Sequence, residues 1–171
     1  MSYFDGKKIL VIGGSRGIGA AIVSRFSAEG AKVAFTFAGS HDAAATVAEK
    51  TGAVAIQSDA ADRNAVTATV RNQGKLDVLV VNAGAFNPGD PLELDADVVD
   101  RMIDINVRAP YHAAVEAARR MDDGGRIIVI GSTNADRMPF AGAAAYAMTK
   151  SAVQGMARGL VLEVPGVGGH G

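Results

Sequence analysis

The amino-acid sequence predicts an α/β fold in which helices cover both faces of one parallel sheet. Five short segments rich in apolar residues alternate with longer segments of helical character, an order that right-handed crossovers turn into a parallel sheet. The segments over residues 9–12 and 78–81 are apolar throughout, which is typical of strands buried on both faces. We expect a doubly wound sheet with the strand order 3-2-1-4-5 and a ligand crevice at the carboxyl ends of its strands.

The same alternation predicts each element in turn. Strands are expected over residues 9–12, 32–37, 53–57, 78–81 and 126–130. One helix follows the first strand, and further helices are expected over residues 42–50, 63–72, 95–121 and 143–162. In the first helix Ile18, Ile22 and Phe26 recur every four residues, so we expect all three to face the core.

The composition of the 171 residues excludes several classes of protein. A net charge of −1 gives no general attraction to nucleic acid or to an anionic membrane. The absence of cysteine excludes disulfides, zinc–thiolate sites and thiol catalysis, and His41, His112 and His170 are too scattered to suggest a metal site. Because no signal pattern or membrane-spanning stretch is found, we expect a soluble, cytoplasmic protein.

A glycine-rich turn joins the first strand to the first helix. Gly13, Gly17 and Gly19 remove side chains where the backbone turns tightly and where a ligand can approach. The helix N-terminus that follows has free N–H groups and a partial positive charge, which favours a phosphate-bearing ligand. The alternative is a tight connection that needs glycines for structural reasons alone, since the spacing differs from the common dinucleotide fingerprint.

Small and polar residues stand at the carboxyl end of every predicted strand. These ends meet at one edge of a parallel sheet, so one ligand lying across that edge explains all five better than five separate turns. The ends are the glycine turn and residues 38–40, 58–60, 82–84 and 131–133. The sequence therefore indicates a dinucleotide site.

The end of the second strand indicates which dinucleotide. An acidic residue there would bind the ribose hydroxyls of NAD and repel a 2′-phosphate, but Ala38, Gly39 and Ser40 hold this place. Arg16, in the glycine turn, matches a phosphate by charge and by its forked geometry. We therefore predict NADP(H) in preference to NAD(H), with Arg16 and Ser40 on the 2′-phosphate. The alternative is that Arg16 is a solvated turn residue and that Asp42 is a helix N-cap.

Tyr146 and Lys150 carry a phenol and an ammonium four residues apart, on one face of the last predicted helix. A nearby ammonium favours the phenolate, which would make Tyr146 a usable acid and base near neutral pH. Such pairs also occur on many solvated helix faces. Ser132, at the end of the fifth predicted strand, makes the constellation more specific.

Together these features resemble the short-chain dehydrogenase/reductase family, from the N-terminus to about residue 160. The matching residues are the glycine turn, Asn82-Ala83-Gly84, Ser132 and Tyr146-x-x-x-Lys150. The resemblance implies a Rossmann-like fold, a homo-oligomer assembled through two long helices, and an NADP(H)-dependent oxidoreductase that reduces a carbonyl or oxidises an alcohol.

The resemblance also assigns roles to residues. Tyr146 would donate and accept the proton, Ser132 would polarise the substrate oxygen, and Lys150 would bind the nicotinamide ribose. Asn106 matches the fourth catalytic residue. The residues implied to bind the cofactor are Gly13, Ser15, Arg16, Gly17, Ile18, Gly19, Ala38, Ser40, Asp59, Ala60, Asn82, Ala83, Gly84, Tyr146 and Lys150, and no metal is implied.

Asn106 has a physical reason for such a role. Pro110, four residues later, has no N–H, so the Asn106 carbonyl loses its helical partner. The free carbonyl can hold a water that connects Lys150 to solvent. The alternative is a simple kink with Asn106 as a polar surface residue.

Two residues depart from the family pattern. Ile12 stands where a threonine is usual, and Val81 replaces the first asparagine of the usual Asn-Asn-Ala-Gly. Each departure removes a hydrogen bond that braces a loop, but neither removes a reacting group, so we expect cofactor binding to be retained.

A narrower resemblance, over residues 13–23, 109–121 and 136–139, is to the bacterial biofilm-dispersal mediators, a branch described as binding cyclic di-GMP. It offers a second class of function, a nucleotide-binding signalling protein with little or no turnover. A third is an inactive subunit that contributes only to oligomer packing.

The Gly/Pro-rich residues 163–171 resemble no part of the family. Family members continue with further strands, helices and a loop over the substrate. We therefore expect a truncated nucleotide-binding domain over residues 1–162, whose sheet ends at the fifth strand with an uncovered edge and whose activity is in doubt.

Overall fold

A computed structural model describes residues 2–138 and 140–163, and it contains one parallel sheet of five strands. The strands are β1 (Lys8–Ile12), β2 (Lys32–Phe37), β3 (Val54–Gln57), β4 (Val78–Val81) and β5 (Arg126–Val129). Their order is β3-β2-β1-β4-β5 and every neighbouring pair is parallel. The predicted fold class and strand order are confirmed.

Helices connect the strands. They are α1 (Gly17–Ala28), α2 (His41–Thr51), α3 (Arg63–Gln73), α4 (Ala96–Ile103), α5 (Ala109–Ala118) and α6 (Ala144–Glu163). A π-helical segment (Asp104–Arg108) joins α4 to α5, and a short 3₁₀ turn (Thr133–Ala135) follows β5. Asp62 caps α3 by accepting from the N–H groups of Asn64 and Ala65, and Asp95 caps α4 by accepting from the N–H group of Asp97.

The strands bury both faces, because alternate side chains point to opposite sides of the sheet. Leu10 and Ile12 of β1 belong to a core cluster that includes residues of α3 and α5. Ile9 and Val11 belong to the opposite cluster, which includes residues of α1 and α2. The helices therefore cover both faces, and the carboxyl ends of the strands are left for a site.

The structure corrects the prediction of one continuous α-helix over residues 95–121. The π segment interrupts it, and the Ala109 N–H donates to the Asp104 carbonyl, five residues earlier. The physical reason is Pro110, which cannot donate the N–H that a regular α-helix would present to the Asn106 carbonyl. The π segment contains Asn106, one of the predicted site residues.

Ile18 is a second correction, since it is 63% exposed rather than buried. Ile22 and Phe26 pack against the core as expected. Ile18 differs because it lies in the first turn of α1, next to the glycine turn and beyond the end of β1. An exposed apolar side chain at this point is available to a ligand.

Among the described residues β5 pairs only with β4 and β3 only with β2, so these two strands are the edges of the sheet, and the expected edge at β5 is one of them. The predicted tail over residues 163–171 lies, apart from the backbone of Glu163, outside the described residues. No helix in the described part of the chain is long and apolar enough to cross a membrane. The same residues contain no cluster of three acidic or histidine side chains that could hold a metal ion.

A buried carboxylate joins α5 to α3. Glu116 is only 3% exposed. Its oxygens accept hydrogen bonds from Arg71 at 3.1 Å, from Arg119 at 3.2 Å and from Arg120. The Arg71 hydrogen bond, helped by the charge of Arg120, lowers the pKa of Glu116 below its ordinary value although burial opposes this.

We predict that Glu116→Gln lowers the free energy of unfolding by about 1 kcal/mol at pH 7, because the negative charge that strengthens the hydrogen bonds from the three partly exposed arginines is lost, while the Gln oxygen can still accept one of them. Since the folded-state pKa lies below the ordinary value of 4.5, the contribution of Glu116 is present above that pH and is lost as pH falls through the folded-state pKa. Urea unfolding measured from pH 7 to pH 3 should show the free energies of unfolding of the wild type and of Glu116→Gln approaching each other as the pH falls. Glu49→Gln, on the exposed face of α2, is the control, and a constant difference at all pH values would contradict the prediction.

Candidate active site

The glycine turn between β1 and α1 has a shape that side chains would destroy. A Cβ on Gly19 would lie 2.0 Å from the Gly13 carbonyl oxygen, so no side chain fits there. Gly17 has a φ of +52°, and a Cβ built on it would meet nothing within 4 Å. The turn is therefore tightly packed at Gly19 and open at Gly17. The open space at Gly17 would let a ligand approach the backbone.

Thr36 of β2 and Asn82, which follows β4, brace this turn from its two sides. Thr36 Oγ1 accepts a hydrogen bond from the Gly13 N–H at 3.0 Å, and the Thr36 carbonyl accepts from the Gly14 N–H at 2.9 Å. Asn82 Nδ2 donates to the Gly13 carbonyl at 2.7 Å. The sequence patterns did not indicate this role for Thr36. The one signal for it was a polar side chain within an otherwise apolar part of β2. These contacts brace the turn in which Ile12 replaces the usual threonine.

The first turn of α1 is free of side-chain caps. Arg16 occupies the N-cap position with an extended backbone, and its exposed side chain caps no N–H group. Ser40 holds the corresponding place before α2, and its hydroxyl also caps no N–H group. Asp42 lies in the first turn of α2, so the alternative that it is the N-cap is wrong. Uncapped N–H groups with Arg16 and Ser40 beside them fit a nucleotide carrying phosphates.

Asp59, which follows β3, is held by an ion pair. Its carboxylate accepts from Arg101 Nη2 at 2.9 Å and from the Ala61 N–H at 2.9 Å. Partial burial raises the pKa of Asp59, but these two donors together lower it below its ordinary value. Asp59 and the half-buried Ala60 thus lie at the same sheet edge as the glycine turn, with Asp59 ionised.

The segment after β4 lies between the glycine turn and α6. The N–H groups of Asn82 and Ala83 both donate to the Ile12 carbonyl, at 2.9 and 2.8 Å. A Cβ built on Gly84 would lie 3.6 Å from Asn106 Oδ1 and 3.8 Å from Lys150 Nζ. Asn82, Ala83 and Gly84 therefore connect the predicted cofactor residues to the predicted catalytic ones.

Asn106 is buried, with 1% of its surface exposed, so the alternative of a surface residue is wrong. Its Oδ1 accepts from the Ala85 N–H and its Nδ2 donates to the Ala85 carbonyl, both at 2.8 Å. The same Nδ2 donates to Thr149 Oγ1 at 3.0 Å, and Thr149 Oγ1 donates to the Tyr146 carbonyl at 2.7 Å. The Asn106 side chain thus ties α6 to the loop after β4.

Lys150 is 5% exposed, and its Nζ donates to the Ile130 carbonyl at 2.8 Å. Burial lowers the pKa of Lys150 below its ordinary value. The Nζ lies 5.9 Å from the centroid of the Tyr146 ring. The Tyr146 phenol and the Lys150 ammonium therefore lie near each other, as the spacing of the two residues in the sequence predicts.

Ser132 is the N-cap of the 3₁₀ turn after β5, and its Oγ accepts a hydrogen bond from the Asn134 N–H at 3.2 Å. Two side chains of α6 bind the same turn. Ser151 Oγ donates to the Ala135 carbonyl at 2.8 Å, and Gln154 Nε2 donates to Asp136 at 3.1 Å. The turn that carries Ser132 is thus docked on the helix that carries Tyr146 and Lys150.

The strand order, the glycine turn and the docked α6 define a Rossmann-like protein with a nucleotide site and a tyrosine–lysine pair. The chain belongs to the short-chain dehydrogenase family, since the model for "short chain dehydrogenase" matches residues 7–168.

Individual relatives agree with this membership. The cyclic-di-GMP-binding biofilm dispersal mediator protein of Escherichia coli is 62% identical over 160 residues, which cover 94% of this chain and 68% of that protein. Versicolorin reductase 1 of Aspergillus parasiticus is 37% identical over 168 residues, covering 93% of this chain and 64% of that protein.

Two similar solved structures hold NADPH. The crystal structure of BdcA in complex with NADPH has a TM-score of 0.96 at 60% identity, and the match covers 97% of this chain and 69% of that one. The blue fluorescent protein from a metagenomic library, also in complex with NADPH, has a TM-score of 0.90 at 44% identity, with coverages of 94% and 70%. This chain thus spans between 64% and 70% of the length of these four proteins.

The bracing of the glycine turn is testable. Thr36→Val keeps the shape of the side chain but leaves the Gly13 N–H without its acceptor, so we expect a loss of about 1–3 kcal/mol in the free energy of unfolding. Thr36→Ser, which keeps the hydroxyl, should recover most of the loss. Thr46→Val on the exposed face of α2 is the control, and urea unfolding measures all three. Equal stability of Thr36→Val and the wild type would contradict the prediction.

Proposed function

We propose that this chain is an NADP(H)-dependent oxidoreductase that reduces a carbonyl group or oxidises the corresponding alcohol. The observation that carries the proposal is the buried Lys150 ammonium, 5.9 Å from the Tyr146 ring centroid. Membership of the short-chain dehydrogenase family and the NADPH-bound structures of similar proteins support it. The nucleotide-binding domain covers residues 1–162, and it works in the cytoplasm as a homo-oligomer, as the family resemblance implies.

In this proposal Tyr146 donates and accepts the proton. When bound, NADPH supplies the hydride that the carbonyl carbon receives. The Tyr146 hydroxyl donates its proton to the carbonyl oxygen, and in the oxidising direction the phenolate takes the proton back. The Lys150 ammonium stabilises the negative charge left on the Tyr146 oxygen, and burial strengthens this interaction.

Ser132 and Asn106 assist Tyr146. Because Ser132 Oγ accepts from Asn134, its own hydrogen remains available for donation to the substrate oxygen. The side chain of Asn106 fixes α6, while its carbonyl lacks an α-helical partner because of Pro110. That carbonyl accepts a hydrogen bond from a water through which Lys150 exchanges protons with solvent.

Selectivity for NADP(H) over NAD(H) rests on Arg16 and Ser40. Both follow neighbouring strands, Arg16 is exposed, and residues 38–40 include no carboxylate that would repel a 2′-phosphate. The remaining cofactor contacts are assigned to Gly13, Ser15, Gly17, Ile18, Gly19, Ala38, Asp59, Ala60, Asn82, Ala83 and Gly84.

Removal of the phenolic hydroxyl tests the catalytic role. Tyr146→Phe should lower kcat by roughly 10²- to 10⁴-fold, the usual range for a general acid, and leave the affinity for NADPH largely unchanged. The readouts are NADPH consumption with a carbonyl substrate and fluorescence titration of NADPH. Tyr111→Phe, at an exposed position on α5, is the control. Turnover retained by Tyr146→Phe would refute the role.

Removal of the guanidinium tests cofactor selectivity. Arg16→Ala should raise the Kd of NADPH by roughly 10- to 100-fold, because a hydrogen bond to a charged group contributes about 1.5–3 kcal/mol, and should hardly change the Kd of NADH. Arg25→Ala, exposed on the same helix, is the matched control. An unchanged ratio of the two Kd values would exclude Arg16 from the 2′-phosphate site.

A second candidate function is cyclic di-GMP binding with little or no turnover. The 62% identity to the cyclic-di-GMP-binding biofilm dispersal mediator protein favours it. A ligand with two phosphates can use the same helix N-terminus and Arg16.

Calorimetric titration of one preparation with NADPH and with cyclic di-GMP separates the two candidates. The oxidoreductase proposal expects NADPH to bind, and it expects Arg16→Ala to weaken that binding. Tight binding of cyclic di-GMP without binding of NADPH would reverse the order of the candidates.

A further inference from the structure

Phe86, Phe140 and Tyr146, the proposed acid and base, form an aromatic wall. The rings of Phe86 and Tyr146 have centroids 4.9 Å apart and planes at 77° to each other. The rings of Phe86 and Phe140 are 6.3 Å apart at 81°. Both pairs have the edge-to-face arrangement that aromatic side chains prefer, so the three rings form one continuous surface.

The wall is built from two loops that a backbone hydrogen bond holds together. Phe86 lies in the loop after β4, and Phe140 lies between β5 and α6. The Gly89 N–H donates to the Gly142 carbonyl at 2.9 Å, which joins the two loops. The wall therefore stands at the same carboxyl edge of the sheet as the glycine turn.

The wall is open on one side. Phe86 is 48% exposed and Phe140 is 50% exposed, so neither ring is used by the core. Adjacent exposed aromatic side chains mark a surface that gains free energy by covering its apolar area. Since the wall includes Tyr146 itself, a ligand that covers it also reaches the proposed acid and base.

We propose that the aromatic wall receives the ring of an aryl ketone, or of the corresponding aryl alcohol. This inference rests on the proposed function and names a substrate class for the same site. A ring packed on Phe86 and Phe140 brings the carbonyl that it carries to the Tyr146 hydroxyl. A keto acid would press its carboxylate against apolar rings, which costs free energy, and a saturated ring would lose the ring–ring interactions.

Three methyl ketones test the inference: acetophenone, cyclohexyl methyl ketone and levulinate. We expect kcat/KM for acetophenone to exceed that for the saturated analogue by roughly 2- to 10-fold, and that for levulinate by roughly tenfold or more. Phe86→Leu should bring the first ratio close to one. Leu92→Ala, at an exposed position of the same loop, should leave it unchanged.

Equal kcat/KM values for the three probes, or a ratio that Phe86→Leu does not change, would overturn the inference. Sedimentation of the same variants provides a further test. If Phe86→Leu alters the oligomeric state and not the ratio, the wall is an interface between copies of this chain and the inference fails.

Binding without turnover separates this inference from the proposed function. Saturation-transfer NMR of acetophenone with NADPH and the Tyr146→Phe protein should show transfer to the ring protons, and Phe86→Leu added to that protein should weaken this transfer. This result together with no turnover of any probe by the wild type would remove the proposed function and keep the ligand class. Turnover of levulinate without ring transfer would overturn the inference and keep the proposed function.

Discussion

The side-chain amide of Asn106 is the contact on which the candidate site depends. It bonds both backbone groups of Ala85 and also the hydroxyl of Thr149, and in this way joins three elements. The loop after β4, the π segment and α6 are each held by the other two. Because a buried amide that loses a partner costs free energy comparable to a lost hydrogen bond, moving any one of the three alone is unfavourable. The position of Tyr146 on α6 is fixed through the Thr149 hydroxyl rather than by contacts of its own ring only.

The fold was predictable because the signals for it are local. Apolar strands, helical segments and the turns between them recur along the chain, and the structure has each strand within about one residue of its expected place. The π segment was not predictable from periodicity, since its residues have ordinary helical composition and only the missing N–H of Pro110 indicates it. Ile18 shows the same limit: four-residue spacing identifies a helix face but does not tell where the sheet beneath it ends.

The candidate site was predictable only in part. The glycine turn and the Tyr146–Lys150 pair are close in sequence, so their spacing already reveals their geometry. The supporting contacts are not local. Thr36 lies 23 residues from Gly13, and Thr149 lies 43 residues from Asn106, so no short pattern connects them. The aromatic wall also depends on contacts between residues that are distant in sequence, because Phe86 and Tyr146 meet only when the loop after β4 packs against the segment that joins β5 to α6.

The π segment also determines how the structure would respond to the deletion of a residue in this part of the chain. A π turn holds one residue more than an α turn, so the helices on either side keep the faces that they would have without the extra residue. Met102 before the segment and Ala113 and Ala117 after it are all buried. A deletion of one residue between positions 104 and 108 would leave that packing in register while it removed the wide turn beside Lys150. A deletion at this point would therefore act on the site and spare the packing of α4 and α5.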